Sequence, residues 1–403
     1  MKILAYGDSP AIETGFAQVN KPILKHFHDQ GHEVVCVGVN QKTPYYDKSV
    51  APYLIVGDPK QGGQFSVDIL LHYLENWDFD VLWTHQDFGV LDNFVEVIAS
   101  AKKKRSFKWI AYCPVDSAIF YPGHLKLIET ADVVGSYTKW GIEVVREISP
   151  KHAEKMIYMP LPNTGDFKPF DRSIKHAREK LRQDLFGVTS NDTFVVMNLN
   201  RNHDRKDPFK TLQAFQGFSQ GRDTILYMHM QHDIEGGMDI PKMAEIMNLA
   251  DKVRFPDMKE GMGFPRKDIP KLYQAADLVV SSSRAEGWGY SCTEAMATRT
   301  PVVMPNHTSL TELIGAKEER GYLIDAGKDA DHWALGYRKN TYPYPVVHLD
   351  SMIEKMDLVY NDWLKAKDYK GTNTGKKLDK AEKWIKTVTW NKVLKQWGEV
   401  LNA

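Results

Sequence analysis

Along the opening of the chain the apolar positions switch from a strand pattern to a helical one and back. Lys2 to Tyr6 reads as a short buried strand, and Phe16, Val19, Ile23, Leu24 and Phe27 then fall on one face of a helix. Gly31 follows as a left-handed terminator, and VVCVGV (Val34 to Val39) is a second buried strand. Strand, helix and strand in that order form a β-α-β unit, with parallel strands and a right-handed crossover. Apolar strands that end in polar residues recur at VLWTHQDFG (Val81 to Gly89), WIAYCPVDS (Trp109 to Ser117) and ADVVGSYTKWG (Ala131 to Gly141). The same pattern returns at FVVMNL (Phe194 to Leu199), TILYMHMQHD (Thr224 to Asp233), KVRFPD (Lys252 to Asp257), LVV (Leu278 to Val280) and PVVM (Pro301 to Met304). The fold class is α/β, with two doubly wound Rossmann-like domains.

Pro160, Pro162, Gly165 and Pro169 cluster in the most linker-like segment of the chain. The expected division is a first domain over residues 1–168 and a second over 169–375. Gly371 to Gly375 reads as a loop. Beyond it Leu378, Ala381, Trp384, Ile385 and Val388 form a helical stripe that continues through Val393, Leu394, Trp397 and Leu401, with a break near Trp390. Residues 376–403 are therefore expected to form a terminal helical segment.

Length and composition set the outer limits. A chain of 403 residues exceeds one ordinary core. Lys plus Arg and Asp plus Glu both total 52, so no global charge argues for nucleic acid or membrane as partner. Cys36, Cys113 and Cys292 have no metal-pair spacing and fit a reducing compartment. No apolar run reaches the roughly 18 residues of a membrane span, and the expectation is a soluble cytoplasmic protein without a transmembrane segment.

The chemistry concentrates in SSSRAEGWGYSCTEAMATRTP (Ser281 to Pro301). Ser291 and Glu294 have capping-box spacing, which predicts a helix starting near Ser291. Glycine backbone beside a helix N-terminus, here Gly287 and Gly289, suits a phosphate, because free N–H groups point outward and the helix dipole favours negative charge. Glu286 and Glu294 flank those glycines and would repel the anion, so they need another role, such as accepting hydrogen bonds from hydroxyls. A sugar nucleotide offers both kinds of group. Glu294 taken alone also reads as a simple cap. Earlier, Arg201 and Lys206 lie on the loop after the strand that ends at Leu199, before a helix opened by Asp207-Pro208. Two fixed cations there can neutralise a diphosphate.

The segment from Glu286 to Ala297 resembles the signature of retaining GT-B glycosyltransferases of the large family 4 type. Their Glu-x7-Glu motif in an E-G-x-G-x-x-x-x-E-A-M-A context stands here as Glu286, Gly287, Gly289, Glu294, Ala295, Met296 and Ala297. The R-x4-K pair is kept as Arg201 and Lys206, and the F-x-P end of the interdomain join as Phe167, Lys168 and Pro169. The resemblance implies two domains facing a cleft, a last helix crossing back to the first domain, and a nucleotide-sugar co-substrate, UDP- or GDP-linked, with no further cofactor. It places Arg201 and Lys206 on the diphosphate, Glu286 on the sugar, Glu294 on the ribose, Gly287 and Gly289 as amide donors, and Trp288 and Tyr290 beside them. It brings backbone near Gly15 toward the donor phosphates and backbone near Phe255 against the base.

Polar strand ends of the first half supply acceptor-side candidates in His85, Asp87, Asp116 and Ser136. Asp116 stands where the family often carries a polar or histidine side chain, and Ser136 opens a segment like the family's S-x-x. Among these, Glu286, Asp116, Arg201 and Lys206 form the expected catalytic set. His85 and Asp87 also read as loop caps, the loop Asp8 to Gly15 as a structural turn, and the basic run Lys102 to Arg105 as a solvated helix end. No Asp-x-Asp stands in a metal-binding context, and the pair His229 and His232 lacks further ligands, so no metal is expected. An inverting transferase using Asp116, Asp87 or His85 as base, a sugar-nucleotide epimerase, and a non-catalytic sugar-nucleotide-binding module remain alternatives. The acceptor is open among glycan, lipid, protein and modified nucleobase.

Overall fold

The computed structural model describes residues 1–41, 48, 51–57, 64–170, 175–231, 237–256, 265–329, 333–335 and 343–403. Its contacts form two compact units, Met1–Pro162 with Val388–Ala403, and Asn163–Thr387. Among the helices are α1 (Gly15–Asp29), α2 (Lys175–Phe186), α3 (Pro208–Phe218), α4 (Ile269–Ala275), α5 (Tyr290–Ala297), α6 (Asn373–Ile385) and α7 (Trp390–Asn402).

In the first unit β1 (Lys2–Asp8), β2 (Glu33–Val39), β3 (Leu54–Val56), β4 (Val81–His85), β5 (Lys108–Cys113), β6 (Val133–Ser136) and β7 (Met156–Tyr158) form one sheet in the order β3-β2-β1-β4-β5-β6-β7. Every pairing is parallel. Helices cover both faces, which is why these strands are nearly continuous apolar runs. The strand order reverses between β1 and β4, where Gly7 lies opposite His85. A Cβ on Gly7 would stand 2.6 Å from the His85 carbonyl oxygen, so the backbones meet only because position 7 is glycine. Thr14 caps α1 by accepting from Ala17 N at 3.1 Å, and Gly31, at φ +85°, releases the chain toward β2.

The second unit repeats the plan. Its strands β8 (Phe194–Leu199), β9 (Thr224–His229), β10 (Val253–Arg254), β11 (Leu278–Val280), β12 (Val302–Pro305) and β13 (Tyr322–Ile324) pair in parallel in the order β10-β9-β8-β11-β12-β13. Here the order reverses between β8 and β11. A buried ion-pair cluster ties α2 to this sheet: Arg178 and Arg182 reach the two carboxylate oxygens of Asp277 at 2.6 and 2.8 Å, and Val195 N donates to the same carboxylate at 2.9 Å.

The chain leaves the first unit after Pro162, and it returns at Val388 rather than at 376. Thr372 caps α6 by accepting from Gly375 N at 3.1 Å, so the stretch expected to be a loop through Gly375 is already helix from Asn373. Arg299, just past α5, holds α6 through Asp379 at 2.8 Å and Glu382 at 2.5 Å, and that keeps the helix in the second unit. Of the terminal segment, only α7 lies in the first unit. Its Trp397 packs against the rings of Trp83 and Tyr112, with centroids 4.6 and 4.9 Å apart.

Candidate active site

In open parallel sheets ligands bind beyond the strand C-termini at the point where the order reverses. In the second unit the two loops at that point follow β8 and β11, and they carry the cations and the acids singled out in the sequence. Lys206 Nζ donates to the Glu286 carboxylate in a contact with both side chains largely buried. Arg201, on the same loop as Lys206, is exposed. Burial pushes the Glu286 carboxyl upward, but Lys206 and Arg205 outweigh it and hold the group below the usual carboxylate range. Glu286 is therefore an anion that can accept hydrogen bonds but has no proton to give.

The loop after Glu286 turns on a glycine in the left-handed region. Gly289 adopts φ +103° as the N-cap of α5, and a Cβ there would stand 2.8 Å from Leu310 Cδ2. Ser309 Oγ lies 2.8 and 2.7 Å from the carbonyl oxygens of Glu286 and Trp288, which turns those oxygens inward. Trp288 is buried, while Gly287 and Tyr290 are half-buried. The amides of Tyr290 and Ser291, at the very start of α5, precede any intrahelical acceptor and are the N–H groups this end can offer an anion.

The expected capping box does not form. The helix begins at Tyr290, its cap is Gly289 without a side-chain bond, and Glu294 points elsewhere. Its oxygens accept from Arg266 Nη2 at 2.6 Å and from Tyr273 Oη at 2.8 Å. The helix can start without a serine cap because Gly289 O already accepts from Cys292 N and Thr293 N, at 3.0 and 3.2 Å. Burial raises the Glu294 carboxyl above its ordinary value, against the lowering by Arg266 and Tyr273. Phe255 packs half-buried at the end of β10, against the core of this unit.

Sequence reasoning did not anticipate Arg266, Tyr273, Arg205 or Arg284. Arg205 Nη1 donates to Ala285 O at 2.5 Å, and Arg284 reaches Asp204 and Asp207. Arg284 sits two residues before Glu286, so a basic residue inside the motif was the one available signal. Arg266 and Tyr273 gave none, since neither lies at a fixed spacing from Glu294.

The first-unit candidates separate into two groups. Gly15 opens α1, exposed, with nothing within 4 Å of a Cβ position, so packing does not demand a glycine there. Asp87 is exposed and Asp116 half-buried, following β4 and β5. His85 and Ser136, by contrast, are fully buried. His85 Nδ1 lies 2.7 Å from Asn20 Oδ1 and Nε2 2.5 Å from Tyr137 Oη, with Tyr112 stacked at 4.9 Å. Burial lowers its pKa to about 3, so the ring is neutral, donating from Nδ1 and accepting at Nε2. Ser136 Oγ donates to Thr138 O at 3.0 Å, at the turn into the next helix. Among the described residues no group of three or more His, Cys, Asp or Glu side chains could hold a metal ion. His229 is buried, while His232 lies outside the described residues.

Residues 182–339 match the sequence profile of the family described as glycosyl transferases group 1. Over 100% of this chain and 98% of the other, the fold superposes on sucrose-phosphate synthase of Thermosynechococcus elongatus with a TM-score of 0.73 at 14% identity. The chain has the GT-B fold, and its second unit carries the group 1 sequence profile. A second GT-B structure, HepE of Anabaena in complex with UDP-glucose, superposes with a TM-score of 0.70 at 17% identity, covering 100% of this chain and 99% of that one. Mannosylfructose-phosphate synthase of Agrobacterium fabrum is 27% identical over 197 residues, which is 47% of this chain and 41% of that relative. The chain thus spans less than half the length of this curated relative. The profile match covers Lys206, Glu286 and Glu294 and leaves the whole of the first unit outside it. No described helix is long and apolar enough to cross a membrane.

Proposed function

We propose that this chain transfers a sugar from a nucleoside-diphosphate-sugar donor to a hydroxyl acceptor, with retention of anomeric configuration and with side-chain cations rather than a metal meeting the diphosphate charge. The observation that carries the reading is the meeting of Lys206 with Glu286 at the switch point of the second sheet, beside the glycine-capped start of α5. In this reading Lys206 and exposed Arg201 take the diphosphate, and the amides following Gly287 and Gly289 add donors. Stabilising the departing β-phosphate favours the transition state over the ground state, because its negative charge grows as the glycosidic bond breaks. Glu286, held ionised, orients sugar hydroxyls. Glu294 keeps unused lone pairs beyond the two contacts it makes, and these receive ribose hydroxyls. Phe255 lies on the base side, with Trp288 and Tyr290 shaping the loop.

HepE was crystallised with UDP-glucose, which favours UDP-sugars as first donors to try, with GDP-sugars next. On the first unit, the backbone at open Gly15 is given to the donor phosphates, and the solvent-reaching Asp87 and Asp116 are the acceptor-side groups. The three cysteines, buried and unpaired, support a reducing, cytoplasmic setting. A screen of UDP-, GDP- and ADP-sugars by thermal shift, followed by anomer analysis of the product by NMR, tests the reading. A donor-dependent rise in Tm with an α-linked product from an α-donor is expected. An inverted product would transfer the base role to Asp87 or Asp116, and no shift with any donor would end the proposal.

A further inference from the structure

The 204–207 turn that carries Lys206 is fastened to the Glu286 loop at several points, and Arg284 reaches both of its ends. Arg284 Nε and Nη2 donate to Asp207 Oδ2 at 3.0 and 2.9 Å, and Nη1 donates to Asp204 Oδ1 at 3.1 Å. Its backbone amide donates to Arg205 O at 2.7 Å. Ser282 Oγ adds a bond to Asp207 O at 2.7 Å. Asp207 sits at φ +45°, ψ +54°, a left-handed conformation that a non-glycine residue keeps only when its surroundings enforce it. The guanidinium therefore bridges both ends of a strained turn with Lys206 in its middle, its side chain 15% exposed.

We propose that Arg284 is a positioning residue that fixes the Asp204–Asp207 turn and so aims the Lys206 ammonium at the β-phosphate of the bound nucleotide. The assignment rests on the donor-site reading given above. A planar fork can span two carboxylates, whereas a lysine at the same place is a point charge that serves one. Freed of the fork, Asp207 relaxes toward an ordinary backbone conformation and the lysine loses its bearing. A displacement of about 1 Å in a positioned group can cost ~100-fold.

The test compares the affinity of UDP, GDP and ADP with that of UMP, GMP and AMP by calorimetry, because the ratio isolates the β-phosphate. In folded Arg284→Ala the diphosphate-to-monophosphate ratio is expected to fall by roughly tenfold or more, with monophosphate binding little changed. Arg284→Lys restores it only in part, and Asp204→Asn, which cuts one end of the bridge, gives a smaller loss and covers the case in which Arg284→Ala does not fold. In a Lys206→Ala background the Arg284 substitution should change the ratio no further. A wild-type ratio in folded Arg284→Ala, or a loss that persists without Lys206, overturns the positioning role and leaves the donor site standing. A wild-type protein indifferent to the second phosphate for all three bases overturns the donor site and this assignment together.

Discussion

Replacing Lys206 by methionine keeps the length of the side chain and removes the charge that holds Glu286 ionised. Two effects follow from the geometry. A charge-assisted hydrogen bond to a phosphate contributes about 1.5–3 kcal/mol, so nucleoside diphosphate affinity should fall by about ten- to a hundredfold. The second effect is on stability and depends on pH. Burial alone would raise the Glu286 carboxyl, and Lys206 is the first of the groups that bring it below its ordinary 4.5. A carboxyl with a lowered folded pKa adds stability above its unfolded value and loses it as pH falls through the folded one. Without Lys206 burial takes over, the folded pKa moves toward or above 4.5, and the contribution shrinks or changes sign. Removing one partner of a largely buried ion pair costs about 3–5 kcal/mol, and the low end applies here because Arg205 remains close to Glu286. Urea denaturation at pH 7.5 and pH 4 should therefore show a large deficit for Lys206→Met at the higher pH and a much smaller one at the lower. An equal deficit at both values, or UDP affinity within twofold of wild type, would refute the coupling between Lys206 and Glu286.

Three further outcomes are expected. Gly289→Ala must place a Cβ 2.8 Å from Leu310 Cδ2 at φ +103°, costing about 1–3 kcal/mol in calorimetric unfolding and weakening nucleotide binding; wild-type Tm would show that the α5 cap tolerates a side chain. Glu294 has a raised folded pKa, so its charge costs stability above its ordinary value, and Glu294→Gln should keep or raise Tm at pH 7.5 while donor affinity drops; a clear fall in Tm would mean that the pair with Arg266 stabilises the fold. His85, with its pKa lowered from 6.5 to about 3, stays neutral when folded and takes up a proton on unfolding, so stability is lost as pH falls below 6.5. His85→Gln should flatten that slope by up to about 1.4 kcal/mol per pH unit in denaturant titrations between pH 4 and 6, leaving the share of His229 and His307, whose values are both about 4.

The sheets were legible because burial on both faces writes a strand as an unbroken apolar run, and each such run ended in the polar loop that the parallel order makes useful. The meeting of Lys206 with Glu286 was legible for a related reason, since loops at a switch point carry residues that no core requires. What stayed hidden was partnership. Ser291 and Glu294 have the spacing of a capping box, but the spacing is silent about Arg266 and Tyr273, which take the carboxylate from across the unit. His85 looks like a loop histidine at a strand end, and only the register that sets it beside Gly7 and Asn20 shows it to be buried. In the same way α6 reads as part of a terminal segment until Arg299 is seen to hold it through Asp379 and Glu382.

The two units share a topology and load their switch points with different chemistry. At the first, Asp8 accepts from Thr14 Oγ1 at 2.5 Å and from Gln86 Nε2 at 2.7 Å, both neutral donors, and its carboxyl is raised by burial against those two bonds. At the second, Lys206, Arg205 and Arg284 crowd the same topological position around acids. A diphosphate brought to the first point would meet a carboxylate and uncharged groups, and would lose its hydration without a compensating cation. At the second it meets ammonium, guanidinium and unpaired amides, each of which replaces water with a stronger partner. In the proposed reading, the difference in charge rather than any difference in fold places the donor at the second unit and leaves to the first the recognition of an uncharged hydroxyl.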